Sequence, residues 1–427
     1  MSVLLKRSEI GQGIHFTAIR DSRFKTNRLS FNFILPLSKE TASAYAILPF
    51  LFRKGYRGCS DYTELNQKLN RLYGANLYTD VLKSGDFQVL NLSISSIDDS
   101  FALEKEAVSK EAADILCRLI RQPAFLLDDF DLSQFDLEKQ ALVDAIEAEI
   151  NEKTSYAVQR MVANMCAEEP YGIHRYGDVE SVKRLTMQDI AQAYGRALKT
   201  AQIEIYSIGC GNADEVAQQI EEDFSALAER SPAASIDSKR VYRALSVQTV
   251  EESYSVNQAK LVMGFRVDAK TPEEMDQVRL MSLLYGGTPR SKLFMNVREK
   301  LSLCYYCSSR LDRTKGILYV NSGVEFANVQ KAKDEILKQL EEVKAGHFTD
   351  EELQETKLMA ADSFKTVNDS PSSMETWYLG QLFTHSEASP EEEAERLSQV
   401  TREQVMEAAA KITLDTVYLL KGEGEEA

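Results

Sequence analysis

The stretch Arg184-Leu-Thr-Met-Gln-Asp-Ile-Ala-Gln-Ala193 recurs in outline as Gln399-Val-Thr-Arg-Glu-Gln-Val-Met-Glu-Ala408. Each copy places a threonine, a favoured residue at a helix N-terminus, before an amphipathic helical pattern. Each is followed by a short apolar strand pattern, at 203–208 in one copy and at 417–420 in the other. The two threonines are 215 positions apart in a chain of 427 residues. The sequence therefore predicts two homologous halves rather than a solenoid of short repeats.

A second pair of anchors supports the duplication. Glu138 and Asn151 correspond to Glu355 and Asn368 at an offset of 217, and each pair lies in a long helical pattern that ends in a polar turn. The joint is predicted at Ser231-Pro-Ala-Ala-Ser-Ile-Asp-Ser238, a stretch rich in turn residues. The expected organisation is an N-terminal half over 1–210, a helical linker over 211–240 and a C-terminal half over 241–427.

The fold class predicted for each half is α+β. Strands are expected at about 13–20, 28–37, 75–82 and 87–97, and again at about 247–255, 259–267, 303–311 and 315–323. Helices are expected at about 41–54, 62–73, 103–121, 131–150 and 187–197, and again at about 272–286, 290–301, 326–345, 350–367 and 402–411. Short turns between neighbouring strands predict largely antiparallel sheets, with helices packed on one face.

Composition and charge exclude several classes of function. The net charge of −16 argues against nucleic-acid binding, which needs a basic face. The same charge is compatible either with an acidic cavity that attracts basic peptides or with an ordinary soluble surface. No apolar run is long enough for a membrane span, and the six cysteines are scattered, as expected in a reducing compartment. The expected location is cytoplasmic.

The stretch Ala46-Ile-Leu-Pro-Phe-Leu-Phe-Arg-Lys-Gly55 resembles the zinc helix of the pitrilysin/insulinase-like peptidases, the group that includes the mitochondrial processing peptidase. That helix carries H-x-x-E-H, in which two histidines bind zinc and the glutamate acts as general base. With Lys54-Gly55 aligned to the family's Lys-Gly, Ala46 and Phe50 stand in place of the histidines and Pro49 in place of the glutamate. None of these three side chains can coordinate a metal or accept a proton.

The family's third zinc ligand is a glutamate seven residues after a glutamate that opens a helix. Glu138 matches the opening glutamate, which puts Ala145 at the ligand position. The four histidines of the chain are far apart in sequence, and no two have the spacing of metal ligands. The resemblance therefore implies that all three ligands are absent, so no metal is expected in this chain.

The second half keeps another family motif. Gly286-Gly-Thr-Pro-Arg-Ser-Lys-Leu-Phe-Met-Asn-Val-Arg-Glu-Lys-Leu-Ser-Leu-Cys-Tyr305 is similar to the signature of the C-terminal half, including the seven-residue spacing from Arg298 to Tyr305. In the family, this arginine and tyrosine bind the substrate backbone beside the zinc. A guanidinium and a phenol can both donate hydrogen bonds to a peptide carbonyl. The alternative is structural: Arg298 would pair with Glu299 at the surface, and Tyr305 would be a half-buried strand residue.

Cys304 and Cys307 form a C-x-x-C sequence, but they lie in a predicted strand. Redox-active pairs work at a helix N-terminus, where the helix dipole lowers a thiol pKa. In a regular strand, residues three apart point to opposite faces of the sheet. We therefore expect these two side chains to point apart and to have no redox role.

The resemblance implies a non-catalytic subunit of a heteromeric zinc endopeptidase. Such a subunit closes half of a clam-shell chamber and binds peptide through Arg298 and Tyr305, while zinc is held by an H-x-x-E-H partner subunit. On its own the chain is not expected to be an enzyme. The alternative is a structural scaffold, or a peptide-binding protein with no role in proteolysis. The retained Arg298 and Tyr305 favour the first hypothesis.

Overall fold

The computed structural model describes residues 4–422, except 60, 226, 228 and 234. The first half of the chain forms six strands and eight helices within that described part. The strands are β1 (Leu4–Gly11), β2 (Ile14–Arg20), β3 (Thr26–Pro36), β4 (Asn76–Ser84), β5 (Phe87–Ile97) and β6 (Gln202–Gly209). The helices are α1 (Ala42–Phe52), α2 (Tyr62–Arg71), α3 (Val108–Arg121), α4 (Leu132–Ala148), α5 (Lys153–Met165), α6 (Val179–Arg184), α7 (Met187–Thr200) and α8 (Ala213–Phe224).

The second half repeats this arrangement. Its strands are β7 (Gln248–Ser253), β8 (Ala259–Val267), β9 (Cys304–Asp312), β10 (Ile317–Val324) and β11 (Ile412–Lys421). Its helices are α9 (Pro272–Ser282), α10 (Val329–Lys344), α11 (Asp350–Lys365), α12 (Pro371–Leu382), α13 (Pro390–Ser398) and α14 (Arg402–Ala410). Two π-helical segments, Leu283–Gly287 and Leu293–Lys300, precede β9. No described helix combines the length and apolarity needed to cross a membrane.

The two sheets have equivalent topology, except that the first has one additional edge strand, β1. The first has the order β1-β2-β6-β3-β5-β4, and the second has the order β7-β11-β8-β10-β9. In each sheet one neighbouring pair is parallel, β2 with β6 and β7 with β11, and every other pair is antiparallel. The predicted α+β class and the two homologous halves are therefore confirmed.

The recurring sequence stretch forms the same local structure twice. Thr186 and Thr401 cap α7 and α14, and each takes part in a reciprocal capping box with the residue three positions later. The strand that follows each helix pairs in parallel with one neighbour and antiparallel with the other: β6 with β2 and β3, and β11 with β7 and β8. Both copies thus occupy equivalent places in their sheets.

The chain divides into two compact units, and their boundaries differ from those of the two sequence halves. One unit takes in the residues up to 147 together with 173–237 and 369–380, and the other takes in 148–172, 238–368 and the residues from 381 onward. Helix α5, from the first half of the sequence, therefore belongs to the second unit. Most of α12, from the second half, belongs to the first unit.

The core of the first unit lies between one face of its sheet and helices α1 and α3. Alternate residues of the central strands, such as Phe31, Leu92 and Ile205, are buried against Ile47 of α1 and Leu116 of α3. This alternation is what a strand with one apolar face requires. The core places α1, and with it the degenerate zinc position, directly on the sheet.

Candidate functional site

The degenerate zinc position lies in α1 and faces the core of the first unit. Ala46 is fully buried, Pro49 is buried and Phe50 is partly buried against the same cluster. The guanidinium of Arg53 lies over the Phe50 ring, 5.4 Å from its centre. The positions that the resemblance assigns to two imidazoles and a carboxylate are therefore filled by side chains that pack and cannot coordinate.

The residue at the third ligand position could not replace the missing zinc ligand. Ala145 is exposed on α4. Glu138, two turns earlier on that helix, pairs with Lys54 at 2.5 Å. Over the described part of the chain, no three or more His, Cys, Asp or Glu side chains form a group that could hold a metal ion. The residues at this position do not fit zinc.

Arg298 and Tyr305 are brought together in the second unit. Arg298 lies in the last turn of the π-helical segment Leu293–Lys300, and Tyr305 is the second residue of β9, at the edge of its sheet. A tight reversal joins the two elements, with Ser302 in the left-handed region at φ 51°. The Arg298 Nε donates a hydrogen bond to the Tyr305 carbonyl at 2.9 Å. The seven-residue spacing thus produces a direct contact.

The rest of the Arg298 guanidinium is only partly engaged. Its Nη1 lies 3.1 Å from the carboxylate of Glu299, the pairing expected for a structural arginine. The group lies over the Phe294 ring, 4.6 Å from its centre, and the side chain is 39% exposed. Nη2 has no hydrogen-bond partner among the described residues. Arg298 is therefore held in place while one donor remains free.

Tyr305 projects from the sheet edge because of a β-bulge. Tyr306 pairs with Gly323, but the next residue of β10, Val324, pairs with Cys304, so Tyr305 is an extra residue in its strand. Its side chain is 60% exposed, and its hydroxyl has no hydrogen-bond partner within the described chain. The expectation of a half-buried strand aromatic does not describe this residue.

The same bulge corrects the prediction for the two cysteines. Cys304 and Cys307 are both buried and each shifts the pKa of the other, so the prediction that they point apart is wrong. The extra residue resets the alternation of the strand and puts both on one face. The hydrogen bond from Cys307 lowers the pKa of Cys304, although burial opposes this, and the charge of Arg298 adds to the lowering.

Close packing explains why the motif begins with a glycine, Gly286. A Cβ at this position would lie 2.7 Å from the backbone nitrogen of Ser309 in β9 and 2.7 Å from Leu293. Both distances are shorter than real contacts allow, so only glycine lets the π-helical segment approach β9 this closely. This close packing fixes the elements that carry Arg298 and Tyr305.

A polar cluster on the other face of the first sheet was missed by the sequence reasoning. Glu375 of α12 is buried and accepts hydrogen bonds from Arg28, from Asn32 at 3.1 Å and from Asn91 at 3.1 Å. The available signal was the polar side chain at alternate positions of β3 and β5, such as Ser30 and Asn32. A strand with one polar face suggested exposure to solvent, whereas a helix covers it.

Comparison with known proteins shows similarity to peptidase-like proteins that are described as inactive. Residues 184–359 match the family model described as "Peptidase M16 inactive domain". A relative from Bacillus subtilis (strain 168), described as "Probable inactive metalloprotease YmfF", is 28% identical over 411 residues, which cover 96% of this chain and 96% of that protein. The similarity to a protein described as inactive extends over nearly the whole chain.

Two solved structures share the fold. A conserved protein from Enterococcus faecalis V583 is 26% identical with a TM-score of 0.89, covering 99% of this chain and 100% of that one. A peptidase M16 inactive domain from Pseudomonas fluorescens is 16% identical with a TM-score of 0.77, covering 98% of each chain. At this lower identity, the second comparison shows the fold alone.

Proposed function

Because the chain is a degenerate member of the peptidase M16 family, we propose that it is the non-catalytic subunit of a heteromeric zinc endopeptidase. Its partner would be a homologous H-x-x-E-H subunit, and its ligand would be a peptide substrate. The observation that carries this proposal is the pair Arg298 and Tyr305, which lie in contact with one guanidinium donor and one hydroxyl free. A residue that served packing alone would not be expected to expose 60% of an aromatic side chain.

The proposed role of the pair is to bind and polarise a peptide carbonyl. The Nη2 of Arg298 and the hydroxyl of Tyr305 are both donors, and the oxygen of a carbonyl under attack gains negative charge. The contact between Arg298 and the Tyr305 backbone fixes one donor relative to the other, so little ordering is needed when a substrate binds. Zinc bound in the partner subunit would supply the activated water for hydrolysis.

We expect Arg298→Ala and Tyr305→Phe each to lower peptide turnover by the mixed complex. Removing one preorganised donor from an oxyanion typically lowers kcat by about 10²–10³. Phenylalanine keeps the ring, so the second variant tests the hydroxyl alone. The measurement is peptide hydrolysis by the complex with the co-purified H-x-x-E-H subunit, alongside thermal unfolding of each variant.

Tyr306→Phe is the matched control. The neighbouring Tyr306 hydroxyl lies 3.1 Å from Thr154, so its loss should affect stability and leave turnover unchanged. The alternative, a scaffold or peptide-binding protein without a role in proteolysis, requires that Arg298→Ala and Tyr305→Phe leave the activity of the complex intact. Failure to recover any H-x-x-E-H homologue with the tagged chain would also count against the proposal.

A further inference from the structure

The second unit depends on a segment from the first half of the sequence. Helix α5 packs on the sheet through Ala157, Met161, Val162 and Met165, which are buried with Val262 and other strand residues. A Cβ at Gly264 of β8 would lie 2.5 Å from the Met161 sulfur, so a larger residue there would require the Met161 side chain to move. The Nε of Arg160, in α5, also donates hydrogen bonds to both carboxylate oxygens of Glu252 in β7, at 3.0 and 3.1 Å.

A buried ion cluster holds the end of the same segment. Glu169 pairs with Arg266 of β8 at 2.8 Å and with Lys315 at 2.9 Å. The side chains of Arg266 and Lys315 are 3% and 0% exposed. Lys315 therefore relies on a carboxylate from the other half of the sequence, and Arg266 shares that carboxylate with Asp415.

The first unit has the reciprocal dependence. Residues 369–380 contribute Met374 and Glu375, both buried. Glu375 is the acceptor for Arg28, Asn32 and Asn91 of the first sheet, so without it these buried donors would lose a partner. Each unit is thus completed by a helix that is encoded in the other half.

The segment that joins the halves is exposed and irregular. Residues 238–247 form no helix or strand. Large apolar side chains along it are open to solvent, including Leu245, which is fully exposed, and Val247, which is 54% exposed. Arg243, with its side chain 74% exposed, pairs only at the surface with Asp268. Extended, exposed chain beside a basic residue is what a proteinase specific for lysine or arginine accepts.

We propose that the Arg243–Ala244 peptide bond is a proteolytic processing site and that the cut chain stays assembled. Hydrolysis consumes one water, breaks that single bond and leaves a carboxylate on Arg243 and an amine on Ala244. The product ending at Arg243 still carries α5 for the second unit, and the product beginning at Ala244 still carries α12 for the first. The two products remain bound to each other because each contributes a helix to the unit that the other mainly forms. This proposal does not depend on the function proposed above.

Brief trypsin digestion of the full chain tests the cleavage site. The first cut, located by mass spectrometry, should fall after Arg243, and the cut protein should elute from a sizing column with the uncut chain. Arg243→Gln should slow this cut at least about tenfold, because the P1 residue is lost. Arg310→Gln, in the regular strand β9, is the matched control and should not change the rate. A first cut in the exposed turn around Lys105, or two products that elute separately, would overturn the proposal.

The exchange of helices is tested on the cut protein. Its thermal unfolding should depend on protein concentration, since two chains separate, whereas that of the uncut chain should not. Met161→Asp places a carboxylate against the second sheet and should make the cut products separate, while Ser155→Asp, on the exposed side of α5, should leave them together. If Met161→Asp prevents the uncut chain from folding, the test is whether thermal unfolding of the cut wild-type protein depends on protein concentration. Unfolding of the cut protein without that dependence would refute the exchange.

Discussion

Ala46 is fully buried and Phe50 is partly buried, so the helix that resembles a zinc site is anchored by packing. An imidazole at position 46 would have to replace a methyl group in a close-packed core, which is unfavourable without rearrangement. Glu138, which matches the family's helix-opening glutamate, is already paired with Lys54. The residues at this position thus stabilise the fold and offer no ligand set.

At the residue scale, we predict that the purified chain retains no stoichiometric zinc after incubation with the metal and dialysis. The reason is that Ala46, Phe50 and Ala145 provide no donor atom at the three ligand positions. The measurement is elemental analysis, with an H-x-x-E-H homologue treated in parallel as the positive control. One tightly held zinc per chain that is lost in Glu138→Gln would contradict this prediction.

The substituted zinc residues and the Arg298–Tyr305 spacing could be recognised in the sequence, but the conformation of the motif could not. The bulge at Tyr305 depends on how β9 pairs with β10, a contact between residues that the local pattern of β9 does not encode. It decides both the exposure of Tyr305 and the contact between Cys304 and Cys307. The sequence identified the residues, and the sheet register determined where they point.

At the scale of elements, the two capping boxes predict equal effects in the two units. Thr186→Ala and Thr401→Ala should each lower the free energy of unfolding by about 1 kcal/mol, because each removes an acceptor for a helix N-terminal amide. Serine at either position keeps the hydroxyl and should restore most of the loss. Urea denaturation measures the effect, and a change confined to one of the two helices would show that their caps are not equivalent.

The Glu169 cluster predicts a pH-dependent contribution to stability. Burial raises the pKa of Glu169, but its hydrogen bond to Lys315 and the charges of Arg266 and Lys315 outweigh burial, so the pKa lies below its usual value. A carboxyl with a lowered folded-state pKa stabilises the protein above the unfolded-state pKa, about 4.3, and that contribution is lost as the pH falls through the folded-state value. Chemical denaturation should therefore show a stability loss below about pH 4.

Glu169→Gln should remove most of that dependence. At pH 7 it should lower the free energy of unfolding by about 3–5 kcal/mol, since it leaves buried Lys315 without its carboxylate and Arg266 with Asp415 alone. Glu341→Gln breaks the exposed pair with Lys344 and is the matched control, with an expected effect below about 1 kcal/mol. Equal effects of the two substitutions, or an unchanged acid transition in Glu169→Gln, would contradict the role of the cluster.

Sequence reasoning missed β1, α6 and α13, and it also missed the two helices that are exchanged, α5 and α12. The strands at 87–97 and 259–267 were predicted at their observed bounds because each follows an apolar pattern. Helix α12 buries Glu375 against polar strand residues, so hydrophobic periodicity carries little signal for it. Helix α5 does carry a readable apolar stripe through Ala157, Met161 and Met165, but its partner is a sheet from the other half. Local patterns do not specify such a partner.

At the scale of the whole molecule, the strand orders show that one architecture occurs twice, apart from the additional strand β1 in the first sheet. The first copy holds the degenerate zinc helix α1, and the second holds the Arg298–Tyr305 pair. The helix exchange makes each copy depend on the other half of the sequence. Neither half of the sequence forms a complete unit without the other, so the two halves are not expected to fold as independent domains.

The net charge of −16 predicts how the proposed complex discriminates among substrates. A field of this sign raises the encounter rate of basic peptides and lowers that of acidic ones, and salt screens it over about 10 Å at 0.1 M and about 3 Å at 1 M. We therefore expect kcat/KM of the mixed complex for a lysine- and arginine-rich peptide to fall with ionic strength. An uncharged peptide of the same length should change little, which separates steering from a general effect of salt on the enzyme. If both peptides respond alike, the acidic surface serves solubility alone, and substrate selection depends on local contacts such as those of Arg298 and Tyr305.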